Sequence, residues 1–379
     1  MGTSSDSKQK NNFSSFPLVT FYLPLVTFNF YRKNFMKKYL LVVVLLTIVL
    51  LNLGCKKAPT EPPPDNLQPG RRDYVWTVDT LNYPYSTIYR IWGSSPTDVW
   101  ATSTGDWDKS IFHFDGKVWT ATGISGMNVP HSVFGFAKDN IYIGTGAGGI
   151  WKFDGLNWKQ IAELTKDGNK QIVFDNLWGD SPYDIYAFGA YHDNNGLPNN
   201  SVIAHFVNNE WVMFNTVGIE GIVERLYKNK TDQLIYLQVI KFSHTYDSTF
   251  IYKYEGGNYT KLYSTIWSKT WADISLINNE VYFVLKNELA TRINNQFQTV
   301  LKIENPNFYQ SIWGRNSKDI FLLMTDGLTH YNGIDMEYLF HFDKSRTQIY
   351  GAALFDKEVF FIVYEAQTNL NLIYHGVLK

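Results

Sequence analysis

Cysteine is nearly missing from this sequence: Cys55 is the only one in 379 residues. That excludes a disulfide framework, a CxxC redox pair and a thiolate zinc site. An excess of either charge is also missing. Lys and Arg number 34 and Asp and Glu 35, a formal net charge of -1, so the broad basic footprint of a nucleic-acid binder is absent. Charged residues make up 18% and hydrophobic residues 45%, which leaves too much apolar surface and too little repulsion for a disordered chain. Apolar residues at helical spacing are scarce. No nucleophile elbow, HExxH or phosphate loop occurs, and neither a metal nor a cofactor is expected. What the chain has in quantity is aromatic residues, 17% of the total, with all 12 Trp after residue 75.

The charge that is present is unevenly placed. Residues 1–58 hold eight Lys and Arg and one acid, Asp6, so 26 bases face 34 acids in the remainder. The basic end brackets the apolar run YLLVVVLLTIVLLNL at 39–53, 15 residues long and short for a bilayer span of roughly 20. A positive stretch at Met36–Lys38 precedes it, and Gly54-Cys55 follows. Those are the parts of a secretory signal. The segment MKKYLLVVVLLTIVLLNLGC resembles a bacterial lipoprotein signal peptide, with Asn52 where a Leu is usual. The resemblance implies a signal peptide over 36–54, lipidation of Cys55, cleavage just before it, and a place in the outer membrane or cell envelope, facing the periplasm or the exterior. An uncleaved N-terminal anchor is the alternative. Residues 1–35 precede a complete signal and read as a mis-assigned upstream start; a genuine extension is the competing reading. Residues 55–72 hold five Pro and read as an extended linker, about 50 Å long at 3.1 Å per residue.

From residue 73 a repeat organises the chain. A β-branched residue followed by an aromatic recurs at Val99-Trp100, Ile141-Tyr142, Ile185-Tyr186, Ile235-Tyr236, Val281-Tyr282, Ile320-Phe321 and Val359-Phe360, in steps of 39 to 50 residues. A Trp-Gly pair precedes some of them, as in IYRIWG, DNLWGD and QSIWGR, and a run such as IFHFDGKVW or IWKFDGLNW follows. Alternating strands broken by Asp-Gly or Asn-Asn turns give four short strands, A to D, in each unit. That is the period of a propeller blade. The seventh unit lacks strand D, and Tyr74–Val78 before the first unit has the look of one. The expectation is therefore an all-β, seven-bladed β-propeller over 73–379, its last blade closed by the N-terminal strand, with six blades as the alternative. The WG…D[VI]W…HFDGxxW pattern is similar to repeats of bacterial lipoprotein propellers and of two-component regulator sensors. The likeness is specific for fold and poor for function.

Function is expected where length varies. The step from the strand C aromatic to its strand D partner is 5 in five blades, as in Phe114 to Trp119, while the step from strand B to strand C runs from 10 to 20. The B–C and D–A loops share one face of a propeller, and loops on a rigid scaffold carry binding. The long B–C loops supply Asp106, Trp107, Asp108, Tyr191, His192, Asp193, His244, Tyr246 and Asp247. Flat rings beside polar groups suit a glycan or a peptide. Solvated, variable loops are the plain alternative. Strand C carries a base in six blades (His113, Lys152, His205, Lys253, Arg292 and His330), read here as stems packed between blades with heads reaching outward. The acids ahead of strand B read as turn formers. A sialidase-type Asp box needs Ser-x-Asp-x-Gly-x-x-Trp, whereas Asp115-Gly116 and Asp154-Gly155 are adjacent. The leading functional expectation is a lipid-anchored, extracytoplasmic binding or scaffold module, monomeric, with a glycan or protein partner and no nucleic acid. The alternatives are a carbohydrate-active enzyme using two loop carboxylates from Asp108, Asp193, Asp247 and Glu365, and a sensory propeller working with a separate signalling partner.

Overall fold

Seven four-stranded antiparallel sheets follow one another along the chain, each in the order A-B-C-D, in a computed structural model that describes residues 67–81, 87–105, 108–266 and 271–379. Cys55 and the segments read as extension, signal peptide and most of the linker lie outside the described residues, as do Asp106 and Trp107. The protein is an all-β propeller of seven blades, and the six-bladed alternative is excluded.

The ring closes as the sequence suggests. In blade 7, strand C (Leu370–Leu378) pairs with the N-terminal strand Tyr74–Leu81, from Tyr74 opposite Leu378 to Leu81 opposite Asn371. Closure pairs both ends of the propeller and removes an open sheet edge. The last linker residues are not a free spacer. The Gly70 amide donates to the Lys318 carbonyl (2.8 Å), and Arg72 Nη1 pairs with Asp335 (2.7 Å) and Glu337 (2.9 Å). The chain thus enters the ring along the A–B and C–D turns of blade 6.

The aromatic excess is packing. Seven clusters of buried side chains each straddle one blade junction; Trp178 and Tyr186 of blade 3, for example, pack with Val223 and Leu226 of blade 4. The glycine of the Trp-Gly pairs belongs to these junctions. A Cβ on Gly179 would lie 2.5 Å from the Asp184 carbonyl and 3.1 Å from the Phe136 ring of the preceding blade; on Gly135, which follows Phe134 at the equivalent place in blade 2, it would lie 2.8 Å from the Trp92 ring. The strand pairing breaks just after Gly93, Gly135, Gly179 and Gly314. At each such bulge the strand kinks toward its neighbour, and only hydrogen fits. The C–D turns use the expected chemistry: Asn208 and Asn209 have φ of 52° and 64°, and Gly116 and Gly155 have φ of 92° and 93°.

The strand C bases do something different from reaching outward. His113 Nε2 lies 2.8 Å from Asp98, His205 2.6 Å from Asp184, His330 2.7 Å from Asp319 and His375 2.8 Å from Glu358. Three of these imidazoles stack on the strand B aromatic directly across the sheet, Trp100, Tyr186 and Phe360, with centroids 3.9 to 4.1 Å apart. The acid ahead of strand B is therefore an imidazole acceptor as well as a turn residue. Lys152 and Arg292 lie over rings instead, of Tyr142 and Tyr236, and Lys253 pairs with Glu255 at 2.6 Å.

Candidate ligand-binding site

Strand A is the innermost strand of each blade, so its first residues surround the ring axis at the end carrying the D–A and B–C loops. They enclose a cavity of about 620 Å³ to which all seven blades contribute, a size normal for a small-ligand site. Two sectors differ in chemistry.

Blades 1 to 5 supply ion pairs. Arg90 (blade 1) reaches across to Glu224 of blade 4 (2.7 Å) and donates to the Asp175 carbonyl of blade 3 (3.1 Å). His131 of blade 2 faces the Asp175 carboxylate at 3.3 Å. Arg225 of blade 4 pairs with Asp273 of blade 5 at 2.7 Å, and Asp273 also accepts from Ser311 of blade 6 at 3.2 Å. Burial pushes the Asp273 carboxyl up, against the pull of Arg225, of the Ile274 N–H and of Ser311. Burial also works against the Arg225 charge, but Asp273, Tyr227 and Glu224 together hold its pKa above the ordinary value. These pairs tie non-adjacent strands around the axis, and one partner alone would be a buried, uncompensated charge.

Blades 5 to 7 and the first residues of blade 1 supply rings and amides. Tyr89 meets Tyr350 edge to face, centroids 5.1 Å apart, and Trp271, Tyr309, Gln310 and Gln348 continue the wall. Burial, then the neighbouring Tyr89 and Tyr309, pushes the Tyr350 phenol up to about 12, so it stays a neutral donor and acceptor. Gln310 has φ of 53° inside a break in pairing between Phe308 and Ile312. This left-handed geometry is uncommon outside glycine. It lets the side chain bridge two blades: Oε1 accepts from the Trp271 amide (3.4 Å), and Nε2 donates to the Phe308 carbonyl (2.9 Å). Trp313, read from sequence as core, packs on Phe361 and also lines the cavity.

Those of the sequence-predicted loop residues that are described lie on the same face but not around this cavity. Asp193 organises its own loop, accepting from the Asn195 and Leu197 amides and from Asn199 Nδ2; the Leu197 amide, foremost, holds its carboxyl below the usual range. Asn199 then clasps Phe242 of blade 4 through two hydrogen bonds of 2.9 and 3.0 Å, so the blade 3 and blade 4 loops are brought together. Asp247 accepts from the Ser243 amide, closing a turn that leaves His244 and Tyr246 exposed. His192 contributes a carbonyl to Asn200, and burial raises Tyr191. Asp108 lines a separate depression with the D–A loop Thr122–Asn128. Glu365 is buried and accepts from Thr368 (2.9 Å). No cluster of three or more metal-ligating side chains occurs among the described residues.

The cavity residues left a faint trace in the sequence. Arg90 and Ser311 stand two residues before the Trp of IYRIWG and QSIWGR, and Asn176, at the same place in DNLWGD, donates to the Glu224 carbonyl. A polar side chain at that place on an inner strand must face either a partner or the axis.

No family model and no curated protein matches the sequence. Solved structures match the fold. A streptogramin B lyase is similar with a TM-score of 0.59 at 13% identity, covering 80% of this chain and 98% of that one. YCF48 bound to a D1 peptide is similar with a TM-score of 0.56 at 13% identity, covering 84% and 100%. The extracellular domain of a putative hybrid two component system from B. thetaiotaomicron has a TM-score of 0.54 at 10% identity, covering 79% of this chain and 42% of that chain. At these identities the likeness establishes a shared propeller fold and nothing finer.

Proposed function

We propose that this chain is a ligand-binding module whose site is the axial cavity, tethered outside the cytoplasm by a lipid on Cys55. The cavity carries the reading: seven blades converge on one space of about 620 Å³ walled by rings, amides and cross-braced ion pairs. Of its carboxylates, Glu224 and Asp273 are each paired with an Arg and Asp175 faces the His131 imidazole, which supports binding over acid–base hydrolysis. The lipoprotein-like segment at 36–55 supports the tether, and the likeness to an extracellular sensor domain agrees with that address. Leu67–Asp73 runs along the turns of blade 6, at the end of the ring opposite the cavity.

The test is a thermal-shift screen of the full chain against oligosaccharides and peptides, followed by hydrogen-exchange mapping of each stabilising compound. Protection is expected at the first residues of strand A, around 88–90, 222–225 and 348–350. Protection confined to the loops at 192–199 and 243–247 would move the site to the B–C loops and overturn the assignment.

A further inference from the structure

The geometry points to an uncharged saccharide as the ligand of the axial cavity, an inference that rests on the cavity being the binding site. The argument is about which polar groups are already used. Each charged side chain on the cavity wall faces a side chain from another blade: Arg90 meets Glu224, Arg225 meets Asp273, and the Asp175 carboxylate faces the His131 imidazole. An anionic ligand would find no spare guanidinium, since Arg90 and Arg225 are both paired. It would have to break a pair or carry its own charge into the cavity uncompensated, and both are costly. The unspent groups are neutral. Among the described residues, the hydroxyls of Tyr89, Tyr309 and Tyr350 and the amide of Gln348 line the cavity without a hydrogen bond from the protein.

Three phenols and an amide can each both donate and accept. Ring hydroxyls of a sugar need that versatility, because each is itself donor and acceptor. The aromatic faces on the same wall suit the C–H face of a pyranose. The ion-pair sector then has a structural role: it braces the inner strands so that the neutral wall is pre-organised before the ligand arrives. A peptide backbone could use the same neutral groups, but a ring platform beside hydroxyl-matching donors favours the sugar.

The test titrates the full chain with neutral cello-, malto-, manno- and xylo-oligosaccharides, with uronate-bearing oligosaccharides of the same length, and with an uncharged peptide, by calorimetry. The same titrations are run on Tyr350→Ala and Gln348→Ala, with melting temperature as the folding control. If Tyr350→Ala fails to fold, Tyr350→Phe and Gln348→Glu replace the pair. The expected result is binding of at least one neutral series, at least tenfold weaker binding of its uronate counterpart, and at least tenfold loss in the Tyr350 and Gln348 variants. Preference for the uronate or the peptide, with the variants still defective, would refute the sugar assignment and leave the cavity as the site. Binding unchanged in both variants would refute the cavity itself. No binding of any neutral series refutes the inference.

Discussion

Removing the Asp319 carboxylate should loosen the ring at its closing junction. Asp319 begins strand B of blade 6, and its side chain is 8% exposed. It accepts from Nε2 of His330, which is 0% exposed, and from two nitrogens of Arg315. Arg315 in turn donates to the Tyr74 hydroxyl of the closing strand (2.7 Å) and to the Phe355 carbonyl of blade 7 (2.6 Å). Asp319→Ala therefore strands a guanidinium and an imidazole at the point where N- and C-terminal segments meet. Losing one partner of a buried pair costs about 3–5 kcal/mol. With an unfolding entropy of about 2.1 cal/mol/K per residue over roughly 310 residues of the described unit, that is a drop of about 5–8 °C in Tm. Differential scanning calorimetry reads it directly. The control is Asp335→Ala, whose carboxylate is 61% exposed in its pair with Arg72 and should cost no more than about 1 kcal/mol. Equal melting temperatures for Asp319→Ala and wild type would refute the idea that this network holds the closure.

Four further outcomes are expected. Gly179→Ala places a Cβ 2.5 Å from the Asp184 carbonyl; backbone cannot swing aside, so denaturant titration should show about 1–3 kcal/mol lost. Burial depresses the His330 pKa below its ordinary 6.5, so the unfolded chain takes up that proton first and stability falls as pH drops below 6.5, by at most about 1.4 kcal/mol per pH unit. Burial works to raise Asp319, but hydrogen bonds from His330 and Arg315 outweigh it and hold the carboxyl below 3.8, adding a further loss below that pH; a flat Tm from pH 7 to 5 would contradict the His330 assignment. Deleting residues 1–81 removes the closing strand and bares the edge Leu370–Leu378, and light scattering should report association. Labelling with a palmitate analogue should mark the full chain and fail with Cys55→Ser, and label retained by that variant would remove the lipid from the account.

The blades were legible because each carries the same physical demands. A β-branched and aromatic pair for the buried strand B, a turn that accepts positive φ, and a glycine where blades approach recur wherever the geometry recurs. Even the closure was readable, since blade 7 visibly lacked a strand that Tyr74–Leu81 could supply. The pairing of His113, His205 and His330 with acids about 11 to 21 positions earlier was visible as two separate periodic positions, but not as one contact. That contact depends on the register of strands B and C, which the variable B–C loops conceal. The axial cavity was harder still. Arg90 and Glu224 are 134 residues apart and meet only because the ring brings blades 1 and 4 across one axis. Loop length drew attention to Asp193 and Asp247, which hold their own loops in shape, whereas the converging side chains sit on strand A, whose bulges leave no mark on the repeat spacing.

The cavity and the loops can be set against each other in one calorimetric titration. A saccharide that binds the wild-type chain is titrated into Tyr350→Ala, at the cavity wall, and into Tyr246→Ala, at the tip of an exposed B–C loop (63% exposed). The account predicts at least a tenfold loss of affinity for the first and wild-type affinity for the second. Full affinity in Tyr350→Ala with loss in Tyr246→Ala would contradict it.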